Sequence, residues 1–268
     1  MAAGRGRLLA RVVRLAVALA AAVLGTAAEL RLADGPVLGR LELQTLDWRF
    51  RMRGSVRPGP EVVLIVIDDA SVARLGRWPA PRGVIAEATR ALDEAGAAVI
   101  AIDLLFSEPA QNLPPEVIAV LEEARAALPA AEDGARESLA EILRRADPDM
   151  ALAASLSAAG RTLMPFAFVF AAGESNVAGV PPEVRSTAFP VYTQAAGAGP
   201  PTTGEPLGLL VPAPALRQAA ATLGHVTVLV DQDGALRYDR PVFPFAGELF
   251  PSLPVEAVRL FDRLPRER

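Results

Sequence analysis

The sequence predicts an α/β fold: a mixed sheet with a parallel βαβ core, an antiparallel edge hairpin and flanking helices, preceded by one membrane-anchor helix. Three observations carry this reading. Two apolar runs, Val62–Ile67 and Ala97–Leu105, bracket a helix-patterned segment, and acids close the first run and punctuate the second. Two further apolar runs, His225–Val230 and Ala235–Phe243, are joined by Asp231-Gln232-Asp233-Gly234, a sequence suited to a tight hairpin turn. At the N-terminus, a basic flank precedes an uncharged stretch.

That N-terminus carries Arg5, Arg7, Arg11 and Arg14 ahead of Leu15–Ala28. The uncharged stretch is shorter than the roughly 20 residues a helix needs to span a bilayer. Counting back to Leu8, with Arg11 and Arg14 snorkelling to the interface, gives a sufficient span. A cleaved signal peptide is the alternative, since Thr26-Ala27-Ala28 supplies small residues for a cleavage site. Either way the positive flank stays in the cytoplasm and everything after Glu29 lies outside. The expected organisation is therefore residues 1–30 as anchor or signal segment and 31–268 as a domain in the periplasm, tethered to the inner membrane. A net charge of −4 gives no support to nucleic-acid binding, and the absence of Cys excludes disulfides, zinc-thiolate sites and a Cys nucleophile.

Between the runs, the patterning predicts helices over Val37–Arg53, Gly83–Glu94, Glu116–Leu128, Gly134–Arg145 and Asp147–Ala159, with Gly96 closing the second. Thr162–Phe170 reads as a third strand, and residues 171–206 as a long loop rich in Gly, Pro, Ser and Thr. Pro212–Thr222 is a short helix, and Ser252–Leu264 a final one. Ser71–Arg82 is expected to be a loop stiffened by Pro79 and Pro81.

The sharpest constellation is Asp68, Asp69 and Asp103, carboxylates expected at neighbouring strand ends, where open α/β sheets form ligand crevices. They can hold a polar ligand or a hard cation. The structural alternative is that Asp68 or Asp69 caps the following turn and Asp103 pairs with Arg82. Arg82 precedes a helix, where it opposes the dipole, so it needs a partner: Asp103, Asp47 or an anionic ligand. Trp78, on the proline-braced loop, is either a lid on the crevice or a plug on the core. Asp47 and Arg49, among aromatics after the membrane segment, either couple domain movement to that segment or sit on a packed helix. His225, alone at a strand start, reads as a satisfied structural residue. Glycine-rich phosphate loops and a Ser-His-Asp order are absent.

Several segments, in order, resemble the CHASE2 family of extracytoplasmic sensor domains. They are Thr45-Leu46-Asp47-Trp48-Arg49-Phe50-Arg51, Val66-Ile67-Asp68-Asp69-Ala70-Ser71, Leu75-Gly76-Arg77-Trp78-Pro79-Ala80-Pro81-Arg82 and the stretch from Gly96 to Ser107. Asp149-Met150-Ala151-Leu152-Ala153, Leu223-Gly224-His225-Val226, Asp233-Gly234-Ala235-Leu236-Arg237 and Phe250-Pro251-Ser252-Leu253 continue it. The resemblance implies a noncatalytic sensory part of a receptor. Its ligand is an unidentified small molecule or environmental stimulus, and its output is a nucleotide cyclase, histidine kinase or protein kinase that these residues do not include. The partners so implied are the membrane, a second copy in a homodimer and a separate output protein, with no cofactor, metal or nucleic acid. Two other readings are a metal-dependent hydrolase or phosphotransfer enzyme using Asp68, Asp69 and Asp103 around Mg²⁺, and a structural periplasmic adaptor.

Overall fold

The sheet is organised around one long buried strand that carries a proline near its middle. The structure, a computed structural model, describes residues 16–26, 36–57, 59–76, 78–110, 113–129, 132–189, 205–231 and 233–265. The chain divides into two units, Met1–Val66 and Ile67–Arg268. The first holds helices α1 (16–26) and α2 (Pro36–Arg53). The second runs α3 (Asp69–Leu75), α4 (Arg82–Glu94), β1 (Ile100–Ala101), α5 (Pro115–Ala127), α6 (Asp133–Ala146), α7 (Pro148–Ala159) and β2 (Thr162–Val169). It continues with α8 (Pro182–Arg185), β3 (Gly208–Leu210), α9 (Pro214–Ala219), β4 (Thr222–His225), β5 (Val242–Phe245), β6 (Glu248–Pro251) and α10 (Leu253–Phe261).

Strand β2 pairs in parallel with β1 and β4 and antiparallel with β3. Its carbonyls alternate between two edges. Leu163 and Val169 accept from Ile102 and Leu207 on one side, and Thr162 and Phe166 from Ala221 and Val226 on the other. Strands β1 and β3 therefore share one edge of β2, and β4 takes the other. Pro165 lies on the shared edge between the two ladders, after the β1 register at Leu163 and before the β3 register at Ala167. Having no N–H, it sits where no strand asks for one.

The two faces of β2 separate the layers. Met164, Phe166 and Phe168 join Ile85, Ile100, Leu152, Leu156 and Leu223 in the main core, under α4, α7 and α9. On the opposite face α10 packs against β4 and β2, and buried Glu256 accepts from Thr222 Oγ1 at 2.7 Å. Local sequence explains the helices that matter most. Asp147 caps α7 by accepting from the amides of Asp149 (2.9 Å) and Met150 (3.3 Å), Pro148 follows as its first residue, and Gly160 ends it at φ 62°. Helix α4 buries Ile85, Ala86 and Thr89 on one stripe.

Several expectations are corrected. Val62–Ile67 is not a strand: Val62–Val66 has no regular secondary structure and is 58–82 % exposed, outside every described ladder. An apolar run announces a need for burial but does not supply the partner edge that makes a strand. The second run forms a ladder only at Ile100–Ala101. The expected hairpin is displaced. A turn does form at Asp231–Gly234, with Gly234 N–H donating to the Asp231 carbonyl at 2.8 Å and Arg237 clasping Asp231 and Asp233. That clasp holds the Asp233 carboxyl down at about 2. Its flanks are not paired strands, however, and the true hairpin is β5–β6, closed by Ala246 and Gly247 at φ 50° and 79°. Both turn residues then have the positive φ that a type I′ two-residue hairpin loop requires. The Ser71–Arg82 loop contains most of α3.

Among the described residues no helix is long and apolar enough to cross a membrane. Helix α1 lies in the expected anchor, whose remaining residues fall outside the described set.

Candidate functional site

The starts of α4 and α7 and the exit of β1 meet at one end of the sheet, the carboxyl end of its parallel strands. Arg82 opens α4, where the dipole disfavours it, and Asp149 lies in the first turn of α7, where the dipole favours it. The two form an ion pair, Nε to Oδ1 at 2.8 Å, with side chains 11 % and 5 % exposed. Arg82 Nη2 also donates to the Glu108 carbonyl at 3.0 Å, and its guanidinium carbon stands 3.7 Å from the Phe106 ring centroid. The second Asp149 oxygen accepts from the Ala110 amide at 2.8 Å.

The segment after β1 is thus gripped from several sides. Asn176 adds to this, its side-chain amide donating to the carbonyls of Ser107 (3.1 Å) and Val211 (2.8 Å) while Oδ1 accepts from Val211 N–H at 3.0 Å. Ala213 N–H closes on the Phe106 carbonyl at 2.8 Å. Chemically this is a latch: a buried charge pair whose donors and acceptors are spent on fixing 106–110 between two helix starts.

Arg82 therefore has a partner, as its position demands, but it is Asp149 rather than Asp103 or Asp47. Asp103 is exposed at the exit of β1. Trp78 is 54 % exposed and so does not plug the core; the buried residue of its loop is Ala80, at 1 %. Asp68 is the N-cap of α3. Its Oδ1 accepts from Ser71 N (2.8 Å) and Ser71 Oγ (2.7 Å), and these bonds hold its carboxyl below the usual range. Asp69 follows in the first turn, exposed. With the cap removed in Asp68→Ala, amide exchange across α3 is expected to quicken about fivefold, and an unchanged rate would refute the capping role.

In the other unit, Asp47 and Arg49 lie on α2, and Arg49 Nε donates to the Thr45 carbonyl at 3.3 Å. Their neighbours Trp48 and Phe50 are 60 % and 44 % exposed. Among the described residues no three His, Asp or Glu side chains gather as a metal site. The Mg²⁺-centred grouping of Asp68, Asp69 and Asp103 therefore lacks the geometry it needs.

His225 is buried at 1 % exposure, as a structural residue should be, but it is not satisfied: neither ring nitrogen has a partner among the described residues. Asp149 and Asn176 escape sequence reasoning for different reasons. Asp149 carries a signal, since Asp147-Pro148-Asp149 is a helix start with two acids and one cap position. Asn176 lies in a long loop with no local pattern to mark it.

The model of the CHASE2 domain matches residues 16–267, nearly the whole chain. No curated protein and no solved structure gives a match.

Proposed function

The chain belongs to the CHASE2 domain family, a family of extracytoplasmic sensory domains, and from that premise we propose that it is the ligand-recognising part of a membrane-anchored bacterial receptor. In this reading residues 1–30 anchor the chain in the inner membrane, residues 31–268 form the periplasmic sensor, and a cyclase or kinase carried elsewhere supplies the output. The domain itself is noncatalytic. A ligand rests on exposed groups of the segments that precede α4 and follow β1, a strand-end shelf to which Trp78 offers an aromatic face and Asp103 a hydrogen-bonding carboxylate. Asp68 and Asp69 are further candidate ligand contacts, and Arg82, through its bonds to Asp149 and the Glu108 carbonyl, holds the shelf in shape. On α2, Asp47 and Arg49 carry the response toward the membrane.

The observation that supports this most is the Arg82–Asp149 latch, which ties the segment after Asp103 to the starts of two helices. A ligand that moves the shelf must move α4 and α7 with it, and it shifts the equilibrium only by its differential affinity for the two positions.

The test is a thermal-shift screen of the full chain against divalent cations, nucleotides, sugars, amines and organic acids. One class is expected to raise the melting temperature, by an amount equivalent to about 2.7 kcal/mol at a hundredfold excess over Kd. Trp78→Ala and Asp103→Ala are expected to lose the shift. No shift with any class would favour the adaptor reading, and phosphate-ester turnover with Mg²⁺ the enzyme.

A further inference from the structure

The core holds one group that the shelf does not use. His225 ends β4 inside an aromatic box, its ring 5.6 Å from that of Phe168, 5.8 Å from Phe243 and 6.4 Å from Phe166. Both ring nitrogens are buried without a partner among the described residues, and so is Ser252 Oγ. Ser252 is the bridge partner of His225 in a parallel pairing, and it directly follows the β5–β6 hairpin. Phe243, which faces the imidazole edge-on, belongs to β5, and it also stacks on Phe168 at 4.8 Å. The hairpin therefore lies against the sheet through the ring that lines the histidine.

We propose that His225 is an internal acid sensor whose protonation unseats the β5–β6 hairpin from the sheet. The inference deepens the sensory reading by naming the proton as a stimulus of this domain, and it rests on that reading. A neutral imidazole tolerates the aromatic box. An imidazolium does not, because contact with ring faces recovers much less than the loss of its hydration costs.

The charged groups around it do not cancel this. Asp239 attracts the proton from the segment leading into β5, and the neighbouring Arg240 lies over the Phe243 ring, 5.8 Å from its centroid. Helix α8, packed on β4, brings Glu183 and Arg185, engaged with Arg217 and with Glu248 of β6. Glu256 of α10 meets Thr222 on the opposite face and is paired with Arg259. Burial dominates, and the imidazole is held down from 6.5 to about 4.

The sign follows. Between those two values the unseated form takes up the proton and the seated form does not. The seated arrangement is therefore fully favoured above pH 6.5 and loses its advantage as pH falls toward 4. The seated-to-unseated ratio is expected to drop by up to about 300-fold across that window.

Because His225 is the sole histidine, imidazole NMR of the full chain reads its titration directly. Amide exchange of Val242–Pro251 reads the hairpin. Acidification is expected to charge the ring below pH 6 and to release the hairpin amides in step, with α4 and α7 still protected. His225→Phe and His225→Gln are expected to keep the hairpin protected through the same range. A ring that titrates near 6.5 with the hairpin undisturbed would overturn the proposal, as would acid release that persists in both variants. Either result leaves binding of a small ligand at the Trp78 and Asp103 shelf to stand or fall on its own screen.

Discussion

Asp149→Ala is expected to lower the unfolding free energy of the Ile67–Arg268 unit by about 3–5 kcal/mol, read from urea denaturation followed by circular dichroism. The cost does not come from the pair's attraction as such. Two charges taken out of water recover little net stability by meeting each other. It comes from what one partner leaves behind. Without Asp149, Arg82 keeps a charge in a setting where its side chain is 11 % exposed, and the Ala110 amide loses its acceptor. The contact with Phe106 and the bond to the Glu108 carbonyl hold the guanidinium in place, so it does not swing freely into solvent. Replacing both partners by apolar residues, Arg82→Met with Asp149→Leu, is expected to cost less than Asp149→Ala alone, because no charge is then left buried. A loss below about 1 kcal/mol in Asp149→Ala would show that the latch is not a buried charge pair.

Gly224→Ala is expected to destabilise the chain by about 3 kcal/mol, and Gly224→Val by more. A Cβ on Gly224 would lie 2.5 Å from Leu253 Cα, 2.6 Å from Leu253 N and 2.9 Å from the Ser252 carbonyl carbon. All three are backbone atoms at the start of α10, so relief requires moving the helix off the sheet rather than turning a side chain. The displacement would also strain the Thr222–Glu256 bond two residues along the same face. Gly134 supplies the contrast. It lies in α6 with nothing within 4 Å of its Cβ position, so Gly134→Ala is expected to be neutral or to stabilise by up to about 1 kcal/mol. Equal melting temperatures for Gly224→Ala and the unaltered chain would contradict the close approach.

What could be read from the sequence, and what could not, follows the range of the interactions. Helices α4, α7 and α10 and strand β2 were legible because their signals are local: Asp147-Pro148 at one end of α7 and Gly160 at the other, an apolar stripe on α4, and eight consecutive residues of high apolar content in β2. The run Val62–Val66 has the same composition as a buried strand, and nothing within it tells whether an edge is available. The hairpin shifted because Asp231–Gly234 and Ala246-Gly247 both satisfy turn chemistry, and only the flanking ladder distinguishes them. The position of Arg82 at a helix start signals a need for an acidic partner or an anionic ligand, but not which one. Its partner lies 67 residues away on another helix, a pairing set by the packing of α4 on α7. The state of His225 is a matter of what surrounds it, three phenyl rings drawn from β2 and β5, and no local pattern records that.

The claim that the strand-end shelf recognises a ligand is tested most directly by the emission of Trp78. The chain has two tryptophans, so Trp48→Phe leaves Trp78 as the sole reporter, half-exposed and four residues ahead of Arg82. When this variant is titrated with the compound class that raises the melting temperature, a saturable change in emission is expected, and it is expected to disappear in Trp48→Phe with Asp103→Ala. A compound that stabilises the chain equally with and without Asp103, and leaves the Trp78 emission unmoved, would place recognition away from the shelf.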